Sequence, residues 1–526
     1  MNFPRTAPPS SPFPCTWDRV RRLIALVRSD PIQSGMAENI FTKGLAGRKV
    51  HFVGAKGTGM TALAEIFSSQ GAILSGSDVK DTFYTDALLA DLGMDLKVGF
   101  DEGNVPEDAD LVVFSDAYRR DGNPELLGAR DRGLPMMSYA EALGMYSTLS
   151  DSSSVAGVHG KTTTTAMVGT ILKEIDIQAS VLAGSAVSNF GYRCTMRKGS
   201  RYFIAECDEY KGHFFHFSPQ RILLTSVESD HQDCYPTYES IRDAFLRFIL
   251  SLPPSGTVLY CADDPGASET ASLAGSARED LRLVPYGHGA AGSWRIEGLE
   301  CGEGVSRWTV KGIKGEFSLS MPGRHLVEDA TGALALVAEI AREAGLPDSA
   351  WVPQARLALA SFRGSRRRSE IIGESKGILF VDDYAHHPTA VRQTLEGYAA
   401  FWPSRRLVVD FMSHTYSRTM ALLDEFASSF GAADCIVLHG IYASAREAPV
   451  EGFSGRTLYE KVRQSRPDLG EPKGAPPGTP FILYTESPME AAIELRGLLK
   501  EGDLFVTMGA GDNWKLGKAL MEGGRC

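Results

Sequence analysis

Residues 155–172 read VAGVHGKTTTTAMVGTIL, and this stretch limits the chain to few folds. An apolar run stops at glycines and resumes with helical periodicity, as where a buried strand turns into a helix. The common phosphate-binding loop is G-x-x-x-x-G-K-[ST]. Gly160, Lys161 and Thr162 supply its end, but Val155 holds the place of its first glycine, and a glycine follows only at Gly157. A turn of this kind aims backbone N–H groups at an anion. Lys161 adds a point charge for the outer phosphates, and Thr162 or Thr163 can offer a hydroxyl to Mg²⁺. A helix merely capped by threonine would not call for Gly-Lys and four threonines after an apolar run.

The rest of the sequence repeats the strand–helix alternation three times. KVHFVG (49–54), AILSGSD (72–78) and LVVFSDA (111–117) read as strands around a helix over 58–71 closed by glycine. The pattern restarts near residue 153, with a helix from Lys161 to Ile175, strands over 201–209 and 221–228, and a helix over 328–345. That last helix is apolar at Ala330, Ala333, Leu334, Val337 and Ala341, and Gly345 and Pro347 end it. After FRGSRRRSE (362–370), strands are expected over 377–382, 406–412, 434–440 and 503–509, with a Pro/Gly-rich loop over 467–480.

Alternation of this kind predicts parallel sheets with crossover helices. At roughly 100 to 200 residues per domain, the length fits about three. The expected fold class is therefore α/β, with consecutive domains over 47–150, 151–361 and 362–526. Residues 1–46, which begin with a Pro- and Ser-rich run, are expected to be a flexible extension, or to lie partly upstream of a working start at Met36.

Polar clusters stand at the ends of predicted strands, where parallel sheets bind ligands. AECDEY offers Glu206, Asp208 and Glu209, and SDHQD offers Asp230, His231 and Asp233. A magnesium site beside phosphates needs such a carboxylate. VDDYAHHPT places Asp382, Asp383, His386 and His387 before a helix begun by Pro388. In the first unit GAKGTGM follows a strand, but Lys56 stands where a dinucleotide fingerprint has its middle glycine. This weakens a nicotinamide oxidoreductase reading while leaving the helix start able to hold a diphosphate. Asp78, at the next strand end, can meet a ribose or cap a turn.

A net charge of −11 argues against broad nucleic-acid binding, and no apolar run reaches the roughly 20 residues of a membrane span. The eight cysteines form no C-x-x-C pair, so neither zinc nor a disulfide framework is expected, and a cytoplasmic setting is. No feature demands a protein partner.

Taken together, GVHGKTTTT, AECDE, ESDHQDCY, FRGSRRR, DDYAHHPT, SHTYSRT and GDLFVTMGAGD resemble the Mur ligase family, over roughly residues 49 to 524. HFVGAKGTGM with SGSD matches the first-domain pattern of one branch. The resemblance implies a Rossmann-like domain for UDP, a P-loop ATPase-like central domain and a Rossmann-like C-terminal domain. It also implies a cytoplasmic acid–amino-acid ligase of peptidoglycan synthesis. ATP and Mg²⁺ activate the lactyl carboxylate of UDP-N-acetylmuramate as an acyl phosphate, and an amino acid attacks it, L-alanine before glycine or serine. A same-family alternative attaches a whole tripeptide to the same sugar nucleotide.

By the same resemblance, Gly157, His159, Gly160, Lys161, Thr162, Thr163, His325 and Asp329 hold the nucleotide. Thr162, Glu206 and His231 hold metal. Lys161, His231, Arg367, Arg368, Asp383 and His386 carry the chemistry, with His386 or Asp383 as base. Gly54, Lys56, Gly57, Thr58, Gly59, Asp78 and His387 contact the substrates. The sequence departs from the family pattern at Lys56, Ser226, Leu326, Asp329 and in FMSHTYSRT.

Overall fold

A computed structural model describes residues 40–118, 122–302, 304–443, 447–474, 476 and 478–523. The expectation for residues 1–39 lies outside these. Residues 40–46 do not behave as an extension, because Ile40, Phe41 and Leu45 are buried in the core of the first unit.

That unit is a five-stranded parallel sheet. Its strands are β1 (Lys49–Val53), β2 (Ile73–Asp78), β3 (Asp95–Val98), β4 (Leu111–Phe114) and β5 (Met136–Ser138), in the order β3-β2-β1-β4-β5. Helix α1 (Thr58–Ser69) follows β1. Leu111–Phe114 is buried on both faces, so its near-continuous apolar run is the mark of a covered parallel strand.

The central unit holds seven strands. These are β6 (Asp151–Ala156), β7 (Ala179–Val187), β8 (Arg193–Arg197), β9 (Tyr202–Glu206), β10 (Arg221–Leu224), β11 (Thr257–Cys261) and β12 (Arg282–Tyr286). Their order is β12-β11-β10-β6-β9-β7-β8, parallel except for the edge pair β7–β8. Helix α2 (Lys161–Glu174) follows β6, and a small antiparallel sheet, β13 (Ile296–Gly302), β14 (Val305–Val310) and β15 (Ile313–Leu319), leads into α3 (Arg324–Glu343). Because β6 is central, the turn after it opens where the strand order reverses, the place at which open α/β sheets bind ligands.

The last unit orders its strands β16-β17-β21-β18-β19-β20. They are β16 (Glu370–Ser375), β17 (Ile378–Asp383), β18 (Arg406–Met412), β19 (Cys435–Leu438), β20 (Ile482–Tyr484) and β21 (Asp503–Gly509), with β16 alone antiparallel. Helix α4 (Pro388–Phe401) follows β17. No helix among the described residues is long and apolar enough to cross a membrane.

The two junctions between units differ in kind. The first and central units share one apolar cluster, in which Tyr146 packs against Phe67 at 6.1 Å and Phe203 at 5.0 Å, and Phe203 reaches Phe217 at 6.0 Å. Glu65 of α1, fully buried, accepts hydrogen bonds from Arg193 (3.0 Å) and Thr195 (2.6 Å) of β8. The last unit meets the central one through polar contacts, among them backbone hydrogen bonds of Gly364 and Arg366 to Ser188 and Ala186. Arg418 donates to Asp230 at 2.9 and 2.7 Å, Thr389 to Glu228 at 2.9 Å, and His387 stands 3.2 Å from the Ser229 carbonyl. Polar junctions open more readily than apolar ones. Tyr146→Ala should destabilise the joined first and central units by about 3 kcal/mol, the cost of removing a buried aromatic, read as a lower denaturation midpoint of that transition.

Candidate active site

One cavity of about 920 Å³ lies where the three units meet. Its floor is the turn between β6 and α2. Gly160 takes φ +78°, a conformation that glycine adopts without cost, and an added Cβ would stand 2.5 Å from Asp329. No side chain caps α2, so its first N–H groups and the positive end of its dipole face the cavity, which suits an anion. Ser226 holds the turn from behind by accepting from the His159 N–H at 2.8 Å. Gly157 is packed against Thr225 outside the cavity lining, and its carbonyl accepts from Lys161.

Lys161 is folded back onto Glu209, with Nζ 2.7 Å and 3.1 Å from the two carboxylate oxygens. Burial opposes its charge most strongly, but Glu209, Asp208 and Glu206 together outweigh burial and hold the ammonium above its ordinary range. Glu209 is also 3.5 Å from His231 Nε2. Burial pulls His231 down and Glu209 pushes it up, for a net rise. His231, Arg367 and Thr415 all adopt left-handed backbone, at φ +53°, +58° and +66°. Such strain gathers at functional sites.

Glu206 ends β9 beside the helix start. It accepts from Thr162 Oγ1 at 2.9 Å and from the Gly184 N–H at 2.6 Å. Burial raises its pKa against the pull of Lys161 and Arg368. A hydroxyl and a carboxylate so paired fit a hard dication next to phosphates. Asp208, Glu209 and His231 bring three further ligand atoms within 4.8 Å of one another.

The two neighbouring arginines have separate tasks. Arg367 gives Nε to Asp382 at 2.9 Å and its other nitrogens to the carbonyls of Gly509 (2.8 Å) and Gly511 (3.1 Å). These bonds pin the start of the last unit, and Arg367 lines the cavity as well. Arg368 lines the cavity with no such bonds, and its charge acts on Glu206, Asp329 and Asp383.

Asp383 and His386 divide in the same way. Asp383 is buried, lines the cavity and accepts from the N–H groups of Ser369 and Ala385, both at 2.7 Å, so it also shapes the loop. His386 has Nδ1 2.7 Å from the Tyr384 carbonyl, which fixes Nδ1–H as the donor and leaves Nε2 with its lone pair. Burial, with Arg418 and His414, keeps this imidazole well below its ordinary range and neutral. His325 and His387 also line the cavity, each lowered by burial to about 4. Burial pushes Asp329, above the Gly160 turn, up to about 8.

Thr58 and Gly59 of the first unit reach the cavity. Gly54, Lys56, Gly57 and Asp78 lie beside it, outside its lining. Lys56 is not a free contact for substrate. Its ammonium meets the carbonyls of Val79 (3.0 Å) and Asp81 (2.7 Å) and the Asp86 carboxylate (3.2 Å). Asp78 is likewise committed, accepting from the N–H groups of Lys56 and Val79 at 2.7 Å and from Tyr118 at 3.0 Å. Sequence reasoning passed over Arg418, although the SHTYSRT segment contains it, and Arg366, which stacks on Tyr84 at 4.5 Å.

Known families match the chain in three consecutive stretches. These are the Mur ligase family catalytic domain at residues 49–149, the Mur ligase middle domain at 155–337 and the Mur ligase glutamate ligase domain at 367–511. The chain is 47% identical over 488 residues to a UDP-N-acetylmuramate-L-alanine ligase of Treponema pallidum, covering 93% of this chain and 99% of the relative. It is 37% identical to the enzyme of the same name from Solidesulfovibrio magneticus, over 91% and 98% of the two chains. The solved UDP-N-acetylmuramate-alanine ligase of Thermotoga maritima superposes with a TM-score of 0.69 at 25% identity, covering 90% and 98%.

The raised Asp329 carboxyl yields a pH prediction. Its folded pKa lies above the unfolded value of about 4, so the fold binds the proton more tightly and stability falls as pH rises from about 4 to about 8. This one group contributes about 1.4 kcal/mol per pH unit. Asp329→Asn should remove that slope, so that the variant gains on the native protein in denaturant melts as pH increases.

Proposed function

We infer the reaction from the premise that the chain belongs to the Mur ligase family. It is an ATP-dependent amide-forming ligase of peptidoglycan precursor synthesis. The substrates we propose are ATP, UDP-N-acetylmuramate and L-alanine, used in the cytoplasm. The observation that carries this reading is the single cavity that gathers an uncapped helix start, a lysine, a Thr–Glu pair, a free arginine and a neutral histidine from separate units.

Phosphates seat on the N–H groups at the start of α2. Lys161 leaves Glu209 for them, and Glu209 keeps His231 as its partner. The geometry of Thr162 and Glu206 fits Mg²⁺, which supplies charge neutralisation at the transferring phosphoryl group. The lactyl carboxylate attacks the γ-phosphate, giving an acyl phosphate and ADP. Two anions meet in that step, so Lys161 and Arg368 must offset their repulsion. The amino group then attacks the acyl carbon and phosphate leaves. His386 Nε2 takes the proton that the amine gives up. Closure of the last unit over the central one excludes water from the acyl phosphate.

Lys161→Ala should lower phosphate release by about 10²–10³-fold with the fold intact. Release should depend on all three substrates and be fastest with L-alanine in a panel with glycine, L-serine and the tripeptide. A faster reaction with tripeptide would assign the recycling reaction instead. The arginines should separate: Arg368→Ala lowers turnover by about 10²-fold without lowering the melting midpoint. Arg367→Ala strands the buried Asp382 and destabilises the last unit by about 3 kcal/mol.

A further inference from the structure

Another group of ligand atoms lies at the junction of the central and last units, apart from Thr162 and Glu206 and from Asp208, Glu209 and His231. His159 belongs to the phosphate turn, Glu228 to the segment after β10, and His387 to the loop before α4. One ligand atom from each lies within 4.8 Å of the others. Glu228 Oε2 is 3.7 Å from His159 Nε2 and 3.7 Å from His387 Nδ1. Both distances are too long for a hydrogen bond.

The tautomer of His387 decides what this gap means. Its Nε2 is 3.2 Å from the Ser229 carbonyl and so carries the proton, while its Nδ1 accepts a long 3.4 Å contact from the Thr389 N–H. Nδ1 therefore turns a lone pair toward a carboxylate. His159 Nε2 is buried with no hydrogen-bond partner. The His387 Nδ1 lone pair and the Glu228 carboxylate thus face each other beside the unpartnered His159 Nε2, and the Thr389 hydroxyl donates to Glu228 Oε2 at 2.9 Å. Two ligands each about 2.0–2.1 Å from a tetrahedral ion stand about 3.4 Å apart, so the observed spacing needs little contraction. A metal-bound imidazole typically donates its other N–H to a backbone carbonyl, as His387 does to Ser229.

We propose that His159, Glu228 and His387 form a binding site for a borderline transition-metal dication such as Zn²⁺, and that its occupation clamps the last unit onto the phosphate turn. Two imidazoles and one carboxylate suit such an ion better than Mg²⁺. Both histidines line the cavity, which leaves the fourth position to solvent. Because the ligands come from two units, the ion binds the closed arrangement better and shifts the population toward it.

Co²⁺ titrated into the nucleotide-free full chain, with excess Mg²⁺ filling the hard-ligand sites, is the direct test. One equivalent should give the visible absorption of a four-coordinate ion, and Zn²⁺ should displace it. His387→Gln and Glu228→Gln should each weaken binding by more than about tenfold, whereas His231→Asn should leave it unchanged. Should His387→Gln fail to fold by circular dichroism, Glu228→Gln decides alone. Zn²⁺ should also slow amide hydrogen exchange over residues 226–231 and 384–391 in the native protein and not in Glu228→Gln. Undiminished Co²⁺ binding in the folded variants, or its loss in His231→Asn alone, overturns the proposal. These readouts need no turnover, so they stand or fall independently of the ligase reaction.

Discussion

A lysine ammonium 13% exposed, beside a glutamate 1% exposed, is the interaction around which the site is arranged. A buried cation needs a counter-charge, and in this state Glu209 provides it. The same carboxylate stands next to His231, so it keeps a partner in the proposed reaction, where Lys161 turns to a phosphate. The strained turn at His231 and the left-handed Gly160 hold the two ends of this relay at fixed positions. Under the proposed reaction the site carries its own substitute for the phosphate, and ligand entry is an exchange of partners with no uncompensated charge.

Around that relay, the junctions set which parts stay still. Aromatic packing and the buried Glu65 weld the first and central units, so the cavity wall carrying Thr58 and Gly59 is fixed relative to the phosphate turn. The third wall, bearing Arg368 and His386, is attached through the Asp230–Arg418 pair, hydrogen bonds to Glu228 and Ser229, and backbone hydrogen bonds of Gly364 and Arg366 to Ser188 and Ala186 of the central unit. Ion pairs of this kind give orientation more than adhesion.

Much of this was legible in the sequence, for identifiable reasons. Buried parallel strands such as LVVF and ILFVDD are continuous apolar runs, and Gly-Lys-Thr follows one of them, so these strands and the seat of Lys161 could be read directly, whereas the buried strands Ala179–Val187 and Thr257–Cys261 were passed over. Short or exposed strands could not. Residues 95–98 have no buried side chain, and the antiparallel sheet of 296–319 alternates too irregularly to stand out. The tasks of charged residues were the least legible. Lys56, Asp78, Arg367 and Asp383 carry the right chemistry in the right motifs, yet each is consumed by backbone groups that only the fold brings near. Arg418 is the converse, since its partner Asp230 lies 188 residues away. Ile40, Phe41 and Leu45 were lost in a polar leader because three apolar residues show no period.

The welded seam has a bearing on how such a molecule can be rebuilt. Grafting a foreign nucleotide-sugar module in place of residues 47–150 would expose half of a shared interior. Glu65, Phe67 and Tyr146 come from one side of it, and Arg193, Thr195 and Phe203 from the other. A working chimaera must inherit β8 and β9 along with the transplanted piece, so the natural unit of exchange is larger than the domain boundary drawn along the chain.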